Sequence, residues 1–243
     1  MRKTLAALLV LSPVCAWAQA PTDAIATAPN PASSFVFGAG ACSGATTIYN
    51  TTHASTQGAE ITAAANGPAT GMADLIVLGG TDRFVCEVQV EVFVLASTAP
   101  FDLTMDFFTA CTTSGVGNTP CGNGPGTLIP LSTVTVTGIT PPPVLGTIFS
   151  VIFPYPNVDL GGEADNTISV ALHSSRGDTF WRINETPVVG SLPAGEPATS
   201  FVERCGSAAA NNGCARNFGV NNNFAIQILA NTTPVSLQSY SVE

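Results

Sequence analysis

The stretch that decides the fold is Arg83–Leu95, which reads RFVCEVQVEVFVL. Its side chains alternate between two faces. The apolar face consists of Phe84, Cys86, Val88, Val90, Val92 and Val94. The opposite, mixed face consists of Val85, Glu87, Gln89, Glu91, Phe93 and Leu95. A period of two is typical of a half-buried β-strand, so this stretch predicts a long strand with its apolar face in a core.

The chain continues in the same manner after this strand. The stretch FDLTMDFFT alternates again, and we expect Phe101, Leu103, Met105 and Phe107 to point inward. The short connection ASTAP predicts that the two strands pair as a hairpin. The further candidate strands are Leu75–Leu78, Leu131–Thr137, Thr147–Phe153, Thr167–His173, Thr179–Ile183, Thr199–Val202 and Asn223–Ala230.

Turn-forming residues separate these candidates, and no apolar period of 3.6 residues runs far enough to predict a helix. Ala59–Ala65, AEITAAA, is the one open case, and it is either a short helix or another strand. About nine short strands with a polar outer face predict an all-β fold. We expect a two-sheet β-sandwich of the jelly-roll kind.

The N-terminus has the pattern of an export signal. It begins with Arg2 and Lys3, continues with an apolar run and ends in small residues, which predicts a secretory signal peptide at 1–18. We expect a flexible lead-in at 19–34, a single β-sandwich domain at 35–230 and a C-terminal tail at 231–243. No later apolar run reaches about 20 residues, so the mature chain is predicted to have no membrane span. The protein is therefore expected to be secreted.

The cysteine count also indicates an exported protein. Removal of the signal leaves six, at Cys42, Cys86, Cys111, Cys121, Cys205 and Cys214. An even number of cysteines in an exported chain is typical of disulfides. Chain proximity favours the pairs Cys111–Cys121 and Cys205–Cys214, which leaves Cys42 with Cys86 by elimination. Nine residues separate Cys111 from Cys121. This spacing does not fit a zinc site, in which paired cysteines stand closer together in the chain.

Charge excludes several classes of function. The mature chain has five arginines, no lysine and sixteen acids, so its net charge is −11. Such an acidic surface repels nucleic acids and anionic membranes. Without lysine the chain has neither a Schiff-base residue nor a phosphate-binding loop of the Gly-Lys-Ser/Thr kind.

Several segments between Leu75 and Ile183 follow a familiar order. They are RFVCEVQVEVFVLA, DLTMDFFTA, GPGTLIPLSTVTVTG, FSVIFPYPNVDLGGEADNTISVALHSS and FWRI. This order resembles bacterial extracellular β-sandwich domains of the choice-of-anchor type. The resemblance implies a secreted or surface module and supplies no catalytic residue. Thr233–Glu243 lacks the apolar helix and arginine cluster of a sorting tail, so we expect free secretion or non-covalent surface association.

Candidate catalytic groups are few. The two histidines, His53 and His173, stand in no hydrolase motif and are expected at the surface. Glu87 and Glu91 share one face of their strand, and Asp102 and Asp106 share one face of the next. In a hairpin Glu91 would approach Asp102 or Asp106, which would give a glycosidase-like carboxylate pair. A row of solvated acids is the simpler interpretation.

Two binding sites are also open. The turn NVDLGGEADN brings together Asp159, Glu163 and Asp165, oxygen ligands of the kind that a structural Ca²⁺ prefers. An acidic solvent loop would have the same composition. Trp181 in TFWRI either closes the core or provides a platform on which a sugar ring stacks.

These observations predict a secreted, non-enzymatic β-sandwich module with a role at the cell surface, in the matrix or in adhesion, and with no required cofactor. Its partner would be a surface protein or a glycan. The alternative is a glycan-binding or glycan-active jelly-roll protein that uses Trp181 and the Glu87/Glu91 face.

Overall fold

The computed structural model describes residues 25–30, 32, 35–38, 42–61, 72–109, 120–121, 127–163, 166–193, 200–204, 213–217 and 223–232. The predicted signal peptide lies outside these residues, as does the tail after residue 232. The described strands are β1 (Ile25–Thr27), β2 (Val36–Phe37), β3 (Thr46–Thr51), β4 (Gln57–Glu60), β5 (Met72–Val77), β6 (Phe84–Val94), β7 (Phe101–Thr109), β8 (Pro120–Cys121), β9 (Val134–Ile139), β10 (Phe149–Asp159), β11 (Thr167–Ser174), β12 (Thr179–Arg182), β13 (Pro187–Val189), β14 (Ser200–Arg204), β15 (Gly213–Asn217) and β16 (Ile226–Asn231).

These strands form two sheets. The first has nine strands, with β6 at its centre, and the second has seven strands in the order β8-β15-β14-β5-β11-β7-β9. Side chains of both sheets meet in one buried cluster, for example Val88 and Phe153 from the first sheet with Leu103 and Val170 from the second. The predicted all-β, two-sheet sandwich is confirmed. Among the described residues, no helix combines the length and the apolar character needed to cross a bilayer.

The first sheet branches at β6. One edge of β6 pairs along its length with β10. The other edge is shared, because β16 pairs with its first part up to Val90 and β12 pairs with its last part from Val92. From β16 the sheet continues through β3 to β13, and from β12 it continues through β4 to β1. The gap between β12 and β16 is the feature that positions the candidate site.

The alternation predicted for Arg83–Leu95 holds from Val88 to Val92, where every second residue is fully buried. It fails at the start of β6. Glu87 pairs with Leu229 and Val85 pairs with Ala230, so Cys86 is an extra residue relative to β16, a β-bulge. The bulge turns Val85 into the core cluster, which corrects the prediction that Phe84 and Cys86 occupy the core face.

A disulfide joins Cys86 at this bulge to Cys42, with the Cα atoms 5.5 Å apart. The pairing reached by elimination is therefore confirmed. Cys111 and Cys205 lie outside the described residues, and only the backbone is described at Cys121 and Cys214, so the two local pairs remain predictions.

The hairpin predicted between β6 and β7 is wrong. β6 belongs to the first sheet, whereas β7 pairs with β11 and β9 in the second. Both edges of β6 are already taken, so the connection after β6 carries the chain across the sandwich. Phe101, Leu103, Met105 and Phe107 are buried as predicted.

All nine predicted strands overlap observed ones, namely β5, β6, β7, β9, β10, β11, β12, β14 and β16. Seven short strands were not predicted as such. Ala59 and Glu60 belong to one of them, β4, so the strand interpretation is correct for this part of Ala59–Ala65. Another, β1, lies within the segment 19–34 that was expected to be flexible, and it pairs with β4.

Candidate functional site at the branch of the first sheet

A segment of three residues, Asn223–Ala225, fills the gap between β12 and β16. We call it the wedge. The Ala225 N–H donates to the Arg182 carbonyl at 2.9 Å, and the Glu91 N–H donates to the Ala225 carbonyl at 3.4 Å. The Glu185 N–H donates to the Asn223 carbonyl at 3.1 Å. The wedge therefore continues the hydrogen bonding of β6 across the branch, where neither β12 nor β16 reaches.

An aromatic pair supports the wedge from the core side. The rings of Trp181 and Phe224 stack with centroids 4.0 Å apart, and the Trp181 indole N–H donates to the Ala225 carbonyl at 3.0 Å. Trp181 is 0% exposed. Of the two roles considered for Trp181, the structure shows the core role, and its ring is not available as a platform for a sugar.

Charged side chains occupy the outer side of the branch. Arg182 is one residue beyond the register pair Trp181 and Val92, which places it beside Glu91. Its guanidinium donates to one Glu91 carboxylate oxygen, and its Nε lies 3.0 Å from Glu185 Oε1. The Arg182 side chain is 4% exposed and that of Glu185 is 0% exposed. One buried cation is thus held between two carboxylates.

The connection between β3 and β4 closes over this cluster. The N–H groups of Ala54 and Ser55 each donate to the Glu185 carboxylate at 2.8 Å, and the Thr52 hydroxyl donates to it as well. Because β3 belongs to one branch and β4 to the other, Glu185 ties together the chain segments on both sides of the gap.

His53 is the most exposed member of the cluster, with 23% of its side chain accessible. Its Nδ1 lies 3.3 Å from Glu91 Oε1, and its Nε2 is 3.0 Å from Asn50 Oδ1. Partial burial of Glu91 raises the pKa of its carboxyl, but hydrogen bonds from His53 and Arg182 and their charge outweigh this, and the pKa is lowered overall. Glu91 is therefore ionised at neutral pH.

The cluster of Glu91, Arg182, Glu185 and His53 has the chemistry of a clamp. Arg182 is shared by two carboxylates, and Glu185 accepts hydrogen bonds from the backbone N–H groups of Ala54 and Ser55. A general acid or base must be able to exchange a proton with a substrate, and only the His53–Glu91 side of the cluster reaches the surface. We therefore describe it as a structural site with one accessible edge.

The other predicted carboxylates do not join this cluster, and two of them lie in the second sheet. Asp102 and Asp106 are on β7 in the second sheet, so Glu91 does not form the expected pair with either. Asp102 accepts a hydrogen bond from the Gly138 N–H at 2.8 Å. Glu87 remains on the outer face of β6, half-buried.

Asp106 instead has a histidine neighbour. Its Oδ2 lies 2.9 Å from His173 Nε2, and its Oδ1 accepts from the Thr133 hydroxyl at 2.6 Å. Both side chains are buried, which corrects the expectation that His173 is a surface residue. The reason is that the outer face of the second sheet is itself buried around Phe108 and Ala171. His53 is likewise more enclosed than expected.

In the acidic turn that was considered for Ca²⁺, the Asp159 carboxylate accepts a hydrogen bond from the Gly161 N–H of the same turn at 2.7 Å. Glu163 is half-buried, and this burial raises its pKa. Asp165 lies outside the described residues. Within the described part of the chain, no group of three or more His, Cys, Asp or Glu side chains is arranged to hold a metal ion.

Arg182 and Glu185 were not predicted from the sequence as site residues. Their spacing of three residues across a strand end is no recognised motif, and their carboxylate and loop partners lie between 91 and 133 positions away in the chain. No family model matches the chain, and no curated protein or solved structure matches it either.

Proposed function

We propose that this chain is an exported, non-enzymatic β-sandwich module that acts at the cell surface, in the extracellular matrix or in adhesion. The observation that carries the proposal is the branch cluster, in which the ionisable side chains of His53, Glu91, Arg182 and Glu185 hold two parts of a sheet together. The signal-like N-terminus, the acidic composition and the resemblance to choice-of-anchor domains support the same function.

The glycan alternative has less support from the geometry. Trp181 is buried, and so are Tyr49 and Tyr155, the two tyrosines of the described residues. The Tyr155 hydroxyl donates to the Met105 carbonyl at 3.2 Å inside the core. Sugar rings stack on exposed aromatic faces, and in the described part of the chain no Trp or Tyr offers one. A protein partner is therefore the favoured ligand class.

Location is the first test. The full chain, with a small C-terminal tag, is expressed in its native host, and the cytosol, cell surface, matrix and medium are separated. We expect the protein outside the cytosol, with thiols that do not react with a maleimide probe until they are reduced. A cytosolic protein with reactive thiols would overturn the proposal.

Turnover is the second test. The purified, oxidised protein is incubated with a panel of polysaccharides, peptides and esters, and is screened on a glycan array with and without Ca²⁺. We expect no turnover and no glycan binding. Turnover that is lost in Glu91→Gln but kept in the control Asp102→Asn, with both variants folded, would show that the chain is an enzyme. Specific glycan binding would establish the alternative.

A further inference from the structure

A carboxylate lies in the core between the two sheets, outside the branch cluster. Asp74 is on β5, where it pairs with Val170 of β11 on the core-facing side. It is 2% exposed. An ionised carboxylate in such a place costs several kcal/mol unless a cation or a set of hydrogen bonds compensates it.

The compensation at Asp74 is small. Its Oδ2 accepts the Phe224 N–H at 3.2 Å, and the Leu75 N–H provides a second backbone hydrogen bond. Among the residues whose side chains are described, which leaves out Arg204 and Arg216, no cation forms an ion pair with it. The Tyr49 hydroxyl on β3 is buried with no hydrogen-bond partner. Burial raises the pKa of Tyr49, and the nearby charge of Asp74 raises it further.

Few ionisable groups face this position from the neighbouring elements. β3 contributes Tyr49, and β11 contributes none, since His173 is on the outer face. β14 places Phe201 opposite Asp74, and β15 places Arg216 opposite Phe201, so Arg216 is the cation in the same cross-strand row. Glu203 of β14 lies opposite Met72.

We propose that Asp74 is a proton-dependent lock between the two sheets: the neutral acid is accommodated in the dry core beside the wedge, whereas the ionised carboxylate has to be hydrated, and the entry of water there loosens the packing of β5 on the wedge. Phe224, the residue to which Asp74 bonds, is the central residue of the wedge. The lock therefore connects the core to the branch cluster through Ala225 and Arg182. The proposal does not depend on what the module binds.

Burial raises the pKa of Asp74 from 3.8 to about 7, against the lowering effect of the Phe224 and Leu75 N–H groups. A folded-state pKa above the unfolded one means that the folded protein holds the proton more tightly. The contribution to stability is therefore complete below about pH 4, falls as the pH rises to about 7, and is absent above that.

Urea unfolding between pH 4 and pH 9 tests the lock. We expect the unfolding constant of the wild type, divided by that of Asp74→Asn, to rise with pH by up to about a thousandfold. Each pH unit between the folded and the unfolded pKa of Asp74 contributes a factor of ten. Asp159→Asn makes the same chemical change at an exposed carboxylate and should show no such rise. A ratio that stays flat for Asp74→Asn would overturn the proposal, because the pKa of Asp74 would then be the same in the folded and the unfolded protein.

The wild type alone provides a second measurement, in case Asp74→Asn does not fold. The carboxyl carbon of Asp74 in ¹³C-labelled protein should titrate near neutral pH. Amide exchange at Ala225, corrected for its intrinsic pH dependence, should become faster over the same range. A carboxyl carbon that keeps its ionised shift down to pH 5 would contradict the proposal, whatever the protein's location or partner.

Discussion

Arg182 shows how a single buried charge can depend on its partners. It is 4% exposed and contacts Glu91 and Glu185, the second of which is fully buried. A buried ion pair contributes little to stability compared with apolar residues of the same shape, but removal of one partner leaves the other charge buried and unpaired. The loss of Arg182 should therefore destabilise the fold mainly by leaving the Glu185 carboxylate buried without a cation.

Arg182→Met should lower the free energy of unfolding by about 3–5 kcal/mol, because Glu185 would lose its cation inside the branch. The double variant Arg182→Met/Glu185→Gln should recover part of this loss, since it no longer contains the unpaired buried carboxylate of Glu185. Urea denaturation at pH 7 measures both. A loss below about 1 kcal/mol in the single variant would mean that the cluster does not hold the branches together.

Leu131 is unfavourable for a different reason from Arg182: its backbone conformation is strained, whereas its side chain is exposed to solvent. It follows Pro130 in the turn Ile129–Ser132, closed by the Ser132 N–H donating to the Ile129 carbonyl at 3.2 Å. Its φ is 64° and its side chain is 81% exposed. The left-handed region costs about 1–2 kcal/mol for most residues, and asparagine tolerates it better than leucine does.

Leu131→Asn should therefore raise the free energy of unfolding by about 0.5–1 kcal/mol. Leu128→Asn is the matched control: it is also an exposed leucine of this loop, but its φ is not positive, so no gain is expected. Thermal and urea unfolding compare the two variants. A destabilised Leu131→Asn would show that this leucine makes a contact worth more than its strain.

At the scale of elements, the crossing between β6 and β7 is held by the turn between β11 and β12. The Arg176 guanidinium donates to the carbonyls of Ser97 at 3.0 Å and Ala99 at 2.9 Å, and it forms a bidentate pair with Asp178. Asp178 in turn accepts the Ala96 N–H at 2.8 Å. Both charged groups of the Arg-Gly-Asp tripeptide at 176–178 are thus used within the chain.

Arg176→Lys should cost about 1 kcal/mol in the free energy of unfolding, because lysine keeps the charge but cannot form the planar, forked set of hydrogen bonds. The amide of Ala96 should exchange faster in the variant, since its acceptor Asp178 loses the guanidinium that fixes it. Urea unfolding and amide exchange measure these effects. Unchanged exchange at Ala96 would mean that the crossing does not need Arg176.

The same crossing marks the limit of what the sequence could predict. Alternation identified β6 and β7 because each has one buried face, and this local period is visible in any half-buried strand. Their pairing was mispredicted because a short connection suits a hairpin as well as a crossing between sheets. What decides between them is that β10, β12 and β16, all later in the chain, occupy both edges of β6. Such long-range partners leave no local pattern.

The short strands and the branch cluster were missed for a related reason. β3 is held by its neighbours in the sheet, and its burial pattern does not alternate cleanly. β13 has three residues, too few to establish a period. The bulge at Cys86 also breaks a period that the sequence continues without interruption. Where the sequence did predict a long-range contact, at Cys42–Cys86, the prediction depended on cysteine counting and not on strand pattern.

At the scale of the whole molecule, the Cys42–Cys86 disulfide joins the segment before β3 to the centre of the first sheet. The two cysteines are 44 positions apart, so the closed loop contains β3, β4 and β5. Cross-linking a loop of this length removes chain entropy from the unfolded state, an effect of about 4 kcal/mol in the chain-entropy model. β3 and β4 enter different branches of the first sheet, and β5 enters the second sheet. The cross-link therefore restrains all three parts of the fold.

The double variant Cys42→Ala/Cys86→Ala should lower the free energy of unfolding by about 2–4 kcal/mol, with urea unfolding measured under non-reducing conditions. Since the loss arises from the unfolded chain, all probes should report the same shifted midpoint. Near-ultraviolet circular dichroism of Trp181, which is buried at the branch, should keep its native signal before the transition. A loss of that signal without urea would mean that the disulfide shapes the folded branch itself, because entropy of the unfolded chain alone leaves the native packing intact.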